Sequence, residues 1–186
     1  MKLSVLGKIF ITISTYAVIN NVAFAVPGSK NIDFDGKITA STCDFGVTGS
    51  GANKVTLPTI SETDFTGQTS GRTVFSVNLS GCRLSGDTKV SVYFEPDASK
   101  VDPATGHLIN TAANAAQTGV SLQLIDGTSG VAIKVGDNSQ LTNNSYVSPN
   151  SDGVAKLPYF VEYYKIGTAI YAGLVTSKVT YTLMYK

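Results

Sequence analysis

Chemistry-bearing residues are scarce in this chain. Its 186 residues include one histidine and two cysteines; charged residues make up 15%, and acidic and basic groups nearly balance at a formal net charge of +1. Each shortage excludes something. A single imidazole, His107 in the turn-like "PATGHLI", cannot make a His-based metal site, and two cysteines consumed by each other leave no Cys/His nucleophile pair. The balanced charge offers no basic face to nucleic acid or anionic lipid. The glycines form no GxxxxGK[ST] or GxGxxG fingerprint, so there is no phosphate cradle to argue for. Heptads, repeats of fixed period and charge blocks are missing too. On this reading the chain has no catalytic residue, no metal site and no cofactor, and it is not an enzyme.

Apolar runs are short. "IFITISTYAVI" near the start is interrupted by Thr12, Ser14, Thr15 and Tyr16, and falls below the roughly 20 residues a membrane-spanning helix needs. With Lys2 and Lys8 before or within it and small residues in "AFA" after it, residues 1–25 read as a secretory signal cleaved after Ala25, not an uncleaved anchor. No membrane insertion is expected of the mature chain. Cys43 and Cys82 then both lie in the exported part. An even count in an oxidising compartment argues for one disulfide, with two buried free thiols as the alternative.

What the chain does have is alternation with period two. Phe75, Val77 and Leu79 alternate before Cys82; Val90, Val92 and Phe94 follow, stopped by Pro96. Val120, Leu122 and Leu124 run up to the turn "DGTSG", then Val131, Ile133 and Val135, and later Leu157, Tyr159, Val161 and Tyr163. Gly, Pro, Asn, Ser and Asp separate these sets. The pattern predicts an all-β sandwich of short antiparallel strands in one domain. "NTAANAAQTG" is expected to be a loop or a single turn, and Gly136 to Gly153 a long polar loop.

Other candidate sites are weak. Asp33 with Asp35, and Glu62 with Asp64, are carboxylates two apart that on strands would share a solvent face. "NLS" at Asn78 and "NNS" at Asn143 are three-residue glycosylation matches. Tyr159, Phe160, Tyr163, Tyr164 and Tyr171 suggest a carbohydrate platform, but the alternation turns Tyr159 and Tyr163 inward with Leu157 and Val161.

The two ends pose a sharper question. In "LVTSKVTYTLMYK" the residues Val175, Val179, Tyr181, Leu183 and Tyr185 share one parity, as in a half-buried strand whose outer edge must be capped by an earlier segment or another chain. Ser177 is the gap in that series, marking a shallow pocket or a bulge. Near the start, "NIDFDGKITASTC" puts Ile32, Phe34, Gly36 and Ile38 on one parity, a second half-buried strand.

Taken in order, the leader, "FDGKITASTC", "FSVNLSGC", "NTAANAAQTGVSLQLID", "LPYFVEYY" and "AGLVTSKVTYTLMYK" with its penultimate Tyr185 resemble subunits of chaperone–usher fimbriae of the type 1 pilin family. The resemblance implies an incomplete immunoglobulin-like β-sandwich lacking its final strand, completed by donor-strand exchange, a known mode of strand addition. It divides the chain into a signal peptide (1–25), an N-terminal donor-strand extension (26–39) and a pilin domain (40–186). Ile32, Phe34 and Ile38 would enter pockets of a neighbour while Gly36 passes a constriction. Val175, Ser177, Val179, Tyr181, Leu183 and Tyr185 would form the acceptor groove, and the carboxylate of Lys186 would be where the chaperone anchors.

The implied partners are neighbouring pilin subunits, a periplasmic chaperone and an outer-membrane usher. The implied role is a structural, major-type subunit, exported through the periplasm into an adhesive fimbrium on the bacterial surface. A minor adaptor of the same fibre is the nearest alternative. A self-complemented secreted β-sandwich binding protein, its own Ile32 to Ile38 folded beside Val175 to Tyr185, is the more distant one.

Overall fold

The computed structural model describes residues 43–49, 53–115 and 118–186, all within the unit Thr39–Lys186. The expected donor residues Ile32, Phe34, Gly36 and Ile38 and the leader lie outside the described residues.

The alternating segments become strands: β1 (Asp44–Thr48), β2 (Thr69–Ser80), β3 (Val90–Phe94), β4 (Val120–Asp126), β5 (Ala132–Ile133), β6 (Ala155–Lys165) and β7 (Tyr181–Tyr185). They form two layers, an antiparallel sheet in the order β1-β2-β6-β4-β5 and an antiparallel pair β3-β7. Register places the apolar series opposite one another. Phe75 faces Tyr159 and Val77 faces Leu157, Leu124 faces Val161, and in the second layer Val92 faces Leu183. The inner faces of the two layers meet in one core, where the Phe94 ring stands edge-on to Tyr159 with centroids 5.3 Å apart.

Disulfide-bonded Cys43 and Cys82 join the start of β1 to the segment leaving β2. The pair therefore staples two neighbouring antiparallel strands, of which β1 is the sheet's edge.

Three expectations are corrected. The long stretch from Gly136 to Gly153 is polar, but it is not simply solvated. It holds a one-turn helix α1 (Gln140–Asn143) whose Gln140 is 1% exposed. The Gln140 side chain accepts from the Phe94 N–H and donates to the Phe94 carbonyl, both at 3.0 Å; Asn144 donates to the Val92 carbonyl, and Val147 exchanges both main-chain bonds with Val90. Amide side chains stand in for a neighbouring strand, so the loop closes the edge of β3 away from β7.

The closing strand is also shorter than its pattern. Only Tyr181–Tyr185 pairs in a ladder; the stretch from Leu174 to Thr180 is extended and alternates in burial without being part of it. Buried Asn110 takes the partner's place there, donating to the Leu174 carbonyl (2.9 Å) and accepting from the Thr176 N–H (3.0 Å), while the Thr111 N–H donates to the Thr176 carbonyl. Third, Val131 is exposed, and only Ala132–Ile133 of its expected strand joins the ladder, with the Val131 carbonyl accepting from the Asp126 N–H.

Asp126 ties the β4–β5 turn to the long loop. Its buried carboxylate accepts from the N–H groups of Thr128 (2.9 Å) and Ser129 (2.8 Å) and from both N–H and Oγ of Ser145 (2.7 and 2.8 Å). Burial alone would raise this carboxyl, but the donors from Ser129, Ser145 and Thr128 together hold it below its ordinary value. A carboxyl depressed in the folded state adds stability above its unfolded pKa, and that stability is lost as pH falls through the folded value. Asp126→Asn, which turns an acceptor into a donor facing Ser145, should cost about 1–3 kcal/mol at neutral pH. The gap between variant and wild type should narrow on acidification below about pH 4. Urea unfolding at neutral and acid pH checks both; a gap independent of pH would remove the carboxylate from the account.

Candidate functional site

The residues that remain beside an open edge form a groove. Its floor is the core itself: Phe75 and Val77 of β2, Phe94 of β3, Leu122 and Leu124 of β4, Val161 of β6, and Leu108. One wall is Val47 with residues 53–57; the other is residues 175–181. The groove's volume is about 710 Å³. Apolar core side chains thus face a trough that the described residues leave unfilled, between the edge of one layer and the edge of the other.

Main-chain direction follows from the same alternation. In the closing segment the even-numbered residues bond toward β3 and the segment around Asn110: the Thr111 N–H donates to the Thr176 carbonyl, the Glu95 N–H to the Thr180 carbonyl, and Lys186 and Lys89 exchange both bonds. Successive residues of an extended chain point their N–H and C=O groups to opposite edges. The main-chain groups of Val175, Ser177 and Val179 therefore point toward the groove, while their side chains point into its interior.

Of the expected acceptor residues, Val175, Ser177, Val179 and Tyr181 line the groove. Leu183 and Tyr185 pack on the core opposite Val92 and Val90 but do not line the groove. Lys186 is exposed, its Nζ 4.0 Å above the Tyr146 ring. Ser177 keeps its inward place without a bulge, since half-buried and exposed residues alternate unbroken from Leu174 to Leu183. Its buried hydroxyl has no hydrogen-bond partner among the described residues. At the Tyr181 end of the groove the Phe45 ring of β1 meets Tyr181 edge-on, with centroids 5.5 Å apart.

Two contributors were missed by sequence reasoning. The 53–57 wall carries a signal, Val55 and Leu57 on one parity, but Pro58 cuts it short. Tyr163, expected only as an inward strand residue, lines the groove and donates its hydroxyl to the Pro58 carbonyl at 3.0 Å. Burial pushes its phenol up, so it stays a donor at neutral pH.

The weaker candidates have structural places. His107 is buried between Ser121 (3.3 Å) and Gln123 (3.1 Å) against the Tyr164 ring, and burial lowers its pKa while Asp102 pulls the other way. Glu62 and Asp64 are not on a strand; they form a single 3₁₀ turn, capped by Ser61 and by the Asp64 carboxylate on the Ser61 N–H. The tyrosines form no shared platform, since Tyr159 is 1% exposed in the core and Tyr171 61% exposed. Among the described residues no group of three or more His, Cys, Asp or Glu is placed to hold a metal, and no helix is long and apolar enough to cross a membrane.

Fold and groove together define an incomplete immunoglobulin-like β-sandwich, open along the edge where a further strand belongs. The family model "FimA: Type-1 fimbrial protein, A" matches residues 57–186. The chain is 40% identical over 158 residues to the "Major fimbrial subunit SMF-1" of Stenotrophomonas maltophilia, covering 83% of this chain and 90% of that protein. It is 26% identical over 182 residues to the "Long polar fimbria protein A" of Salmonella typhimurium, covering 96% and 97%. A chain from a solved chaperone–usher pilus structure shares the fold at TM-score 0.52 and 16% identity, covering 86% of this chain and 97% of that one.

The chain belongs to the type-1 fimbrial protein family. It is a structural subunit of a fimbria, in a family whose members polymerise with neighbouring subunits into a pilus on the cell surface and which is not a class of enzymes.

Proposed function

We propose that this subunit polymerises by strand donation, its groove accepting the N-terminal extension of a neighbour while its own extension, residues 26–39, fills the groove of the next. The single observation that carries this reading is the groove whose floor is the hydrophobic core and whose 175–179 wall directs main-chain groups toward the open side. Ile32, Phe34 and Ile38 supply apolar side chains on one parity, and Gly36 supplies a position without one. Added-strand binding draws affinity from main-chain bonds and specificity from pockets for alternate side chains.

In this reading residues 1–25 are a cleaved export signal and residues 40–186 the pilin domain. Before polymerisation a periplasmic chaperone occupies the groove and anchors at Lys186, and an outer-membrane usher exchanges it for the next subunit's extension. The product is the shaft of an adhesive fimbria.

The test is size-exclusion chromatography and thermal unfolding of the chain from Val26, alone and with a synthetic peptide spanning Val26 to Thr39. The expected result is an unstable or oligomerising chain that becomes a stable monomer with the peptide, and a Gly36→Arg peptide that has no effect. A stable monomer indifferent to the peptide would overturn the reading in favour of a self-complemented or closed domain. Equal action by the Gly36→Arg peptide would overturn the assigned register.

A further inference from the structure

We infer that Tyr163 is a positioning residue of the acceptor groove, holding the 53–57 wall through Pro58 at the spacing an added strand requires; the inference rests on the strand-acceptance reading. Tyr163 lies on the inner face of β6, opposite Ser70 of β2 and Leu122 of β4. It stands between two hollows, lining both the main groove and an adjoining depression of about 460 Å³ that runs on past Ile60 and Leu174. Its hydroxyl reaches the Pro58 carbonyl at 3.0 Å, directly after the last residue of the wall.

The wall begins at a turn in which the Val47 N–H donates to Asn53 Oδ1 (3.1 Å), and the chain beyond it runs into the 3₁₀ turn that Ser61 caps. Pro58, between them, has no N–H to offer a ladder, so its carbonyl is the main-chain group available there.

The ring in turn is seated from behind. β2 shifts register between Ser70 and Thr73, and Gly71 within that shift has a φ of +66°. A Cβ on Gly71 would stand 2.7 Å from Cδ2 of Tyr163. The bulge therefore makes a bed that only glycine leaves open, and the phenol carries that fixed position across to the wall.

Tyr163→Phe keeps the ring and removes the tie. In the chain from Val26, the variant should release the Val26-to-Thr39 peptide about five- to tenfold faster than wild type, the size of one hydrogen bond. Amide hydrogen exchange should rise at Leu57, Thr59 and Ile60 while β4 and β6 stay protected. Replacing Tyr163 with 4-aminophenylalanine, which restores a donor, should return both readings toward wild type. Unchanged release from the Phe variant would overturn the inference. So would exchange that rises evenly through β2, β4 and β6, because the hydroxyl would then be supporting the core at large. A wild-type chain that takes up no peptide overturns the strand-acceptance reading instead, a result visible before any variant is made.

Discussion

Deleting Val179 to Lys186 should leave no folded domain. The deletion removes β7, the ladder partner of β3, and uncovers Val90, Val92 and Phe94, none more than 1% exposed. At about 1.5–3 kcal/mol for each large apolar side chain returned to water, the loss is about 5–9 kcal/mol. That rivals the whole stability of an ordinary domain, about 5–15 kcal/mol. The long loop that closes the other edge of β3 cannot compensate, because its amide groups cover main-chain edges and not the inner face. Loss of near-ultraviolet circular dichroism and of soluble protein is the expected result. A soluble truncated chain with a cooperative unfolding transition would show that the second layer is dispensable to the core.

Replacing Cys43 and Cys82 together with serine should cost about 3–4 kcal/mol in the chain-entropy account of a closed loop, given a sequence separation of 39. For a domain of this size each kcal/mol is worth about 2–4 °C of melting temperature, so a fall of about 6–16 °C is expected in calorimetry. The damage should also be local. The bond anchors β1, which among the described residues is an edge strand paired with β2 alone, and which contributes Val47 to the groove wall. Hydrogen exchange in β1 should rise before that in β6, the central strand. An unchanged melting temperature after reduction would mean that the β1–β2 pairing already restrains the unfolded chain as much as the bond does.

Much of the fold was legible because the central strands are amphipathic in the plainest way. The residues singled out by parity in β2, β3 and β6 fill the interior, with Phe75, Val77, Val92, Leu157 and Tyr159 all buried. The odd-numbered series of the closing segment was equally visible, and with it one wall of the groove. What stayed hidden has a common cause. Asn110, Gln140 and Asn144 substitute for peptide groups, and composition cannot distinguish an amide that faces water from one that completes a strand. β1 was obscure for another reason. Its "DFGVT" alternates over only two apolar residues, Phe45 exposed and Val47 facing the groove, too short a run to mark a strand. The opposite wall shows only two residues of alternation before Pro58 ends it.

The closed outer edge of β3 bears on the architecture of the fibre. In the layer formed by β3 and β7, one side is already satisfied by the Gln140 loop, and the side facing the groove is the one proposed to take an added strand. A monomer with one acceptor edge in that layer and, as proposed, one donor segment is bifunctional in the sense of polymer chemistry. Its head-to-tail linkage yields an unbranched chain with a direction. One end is then defined by an unfilled groove and the other by an unused extension, so growth, capping and termination are chemically distinct events.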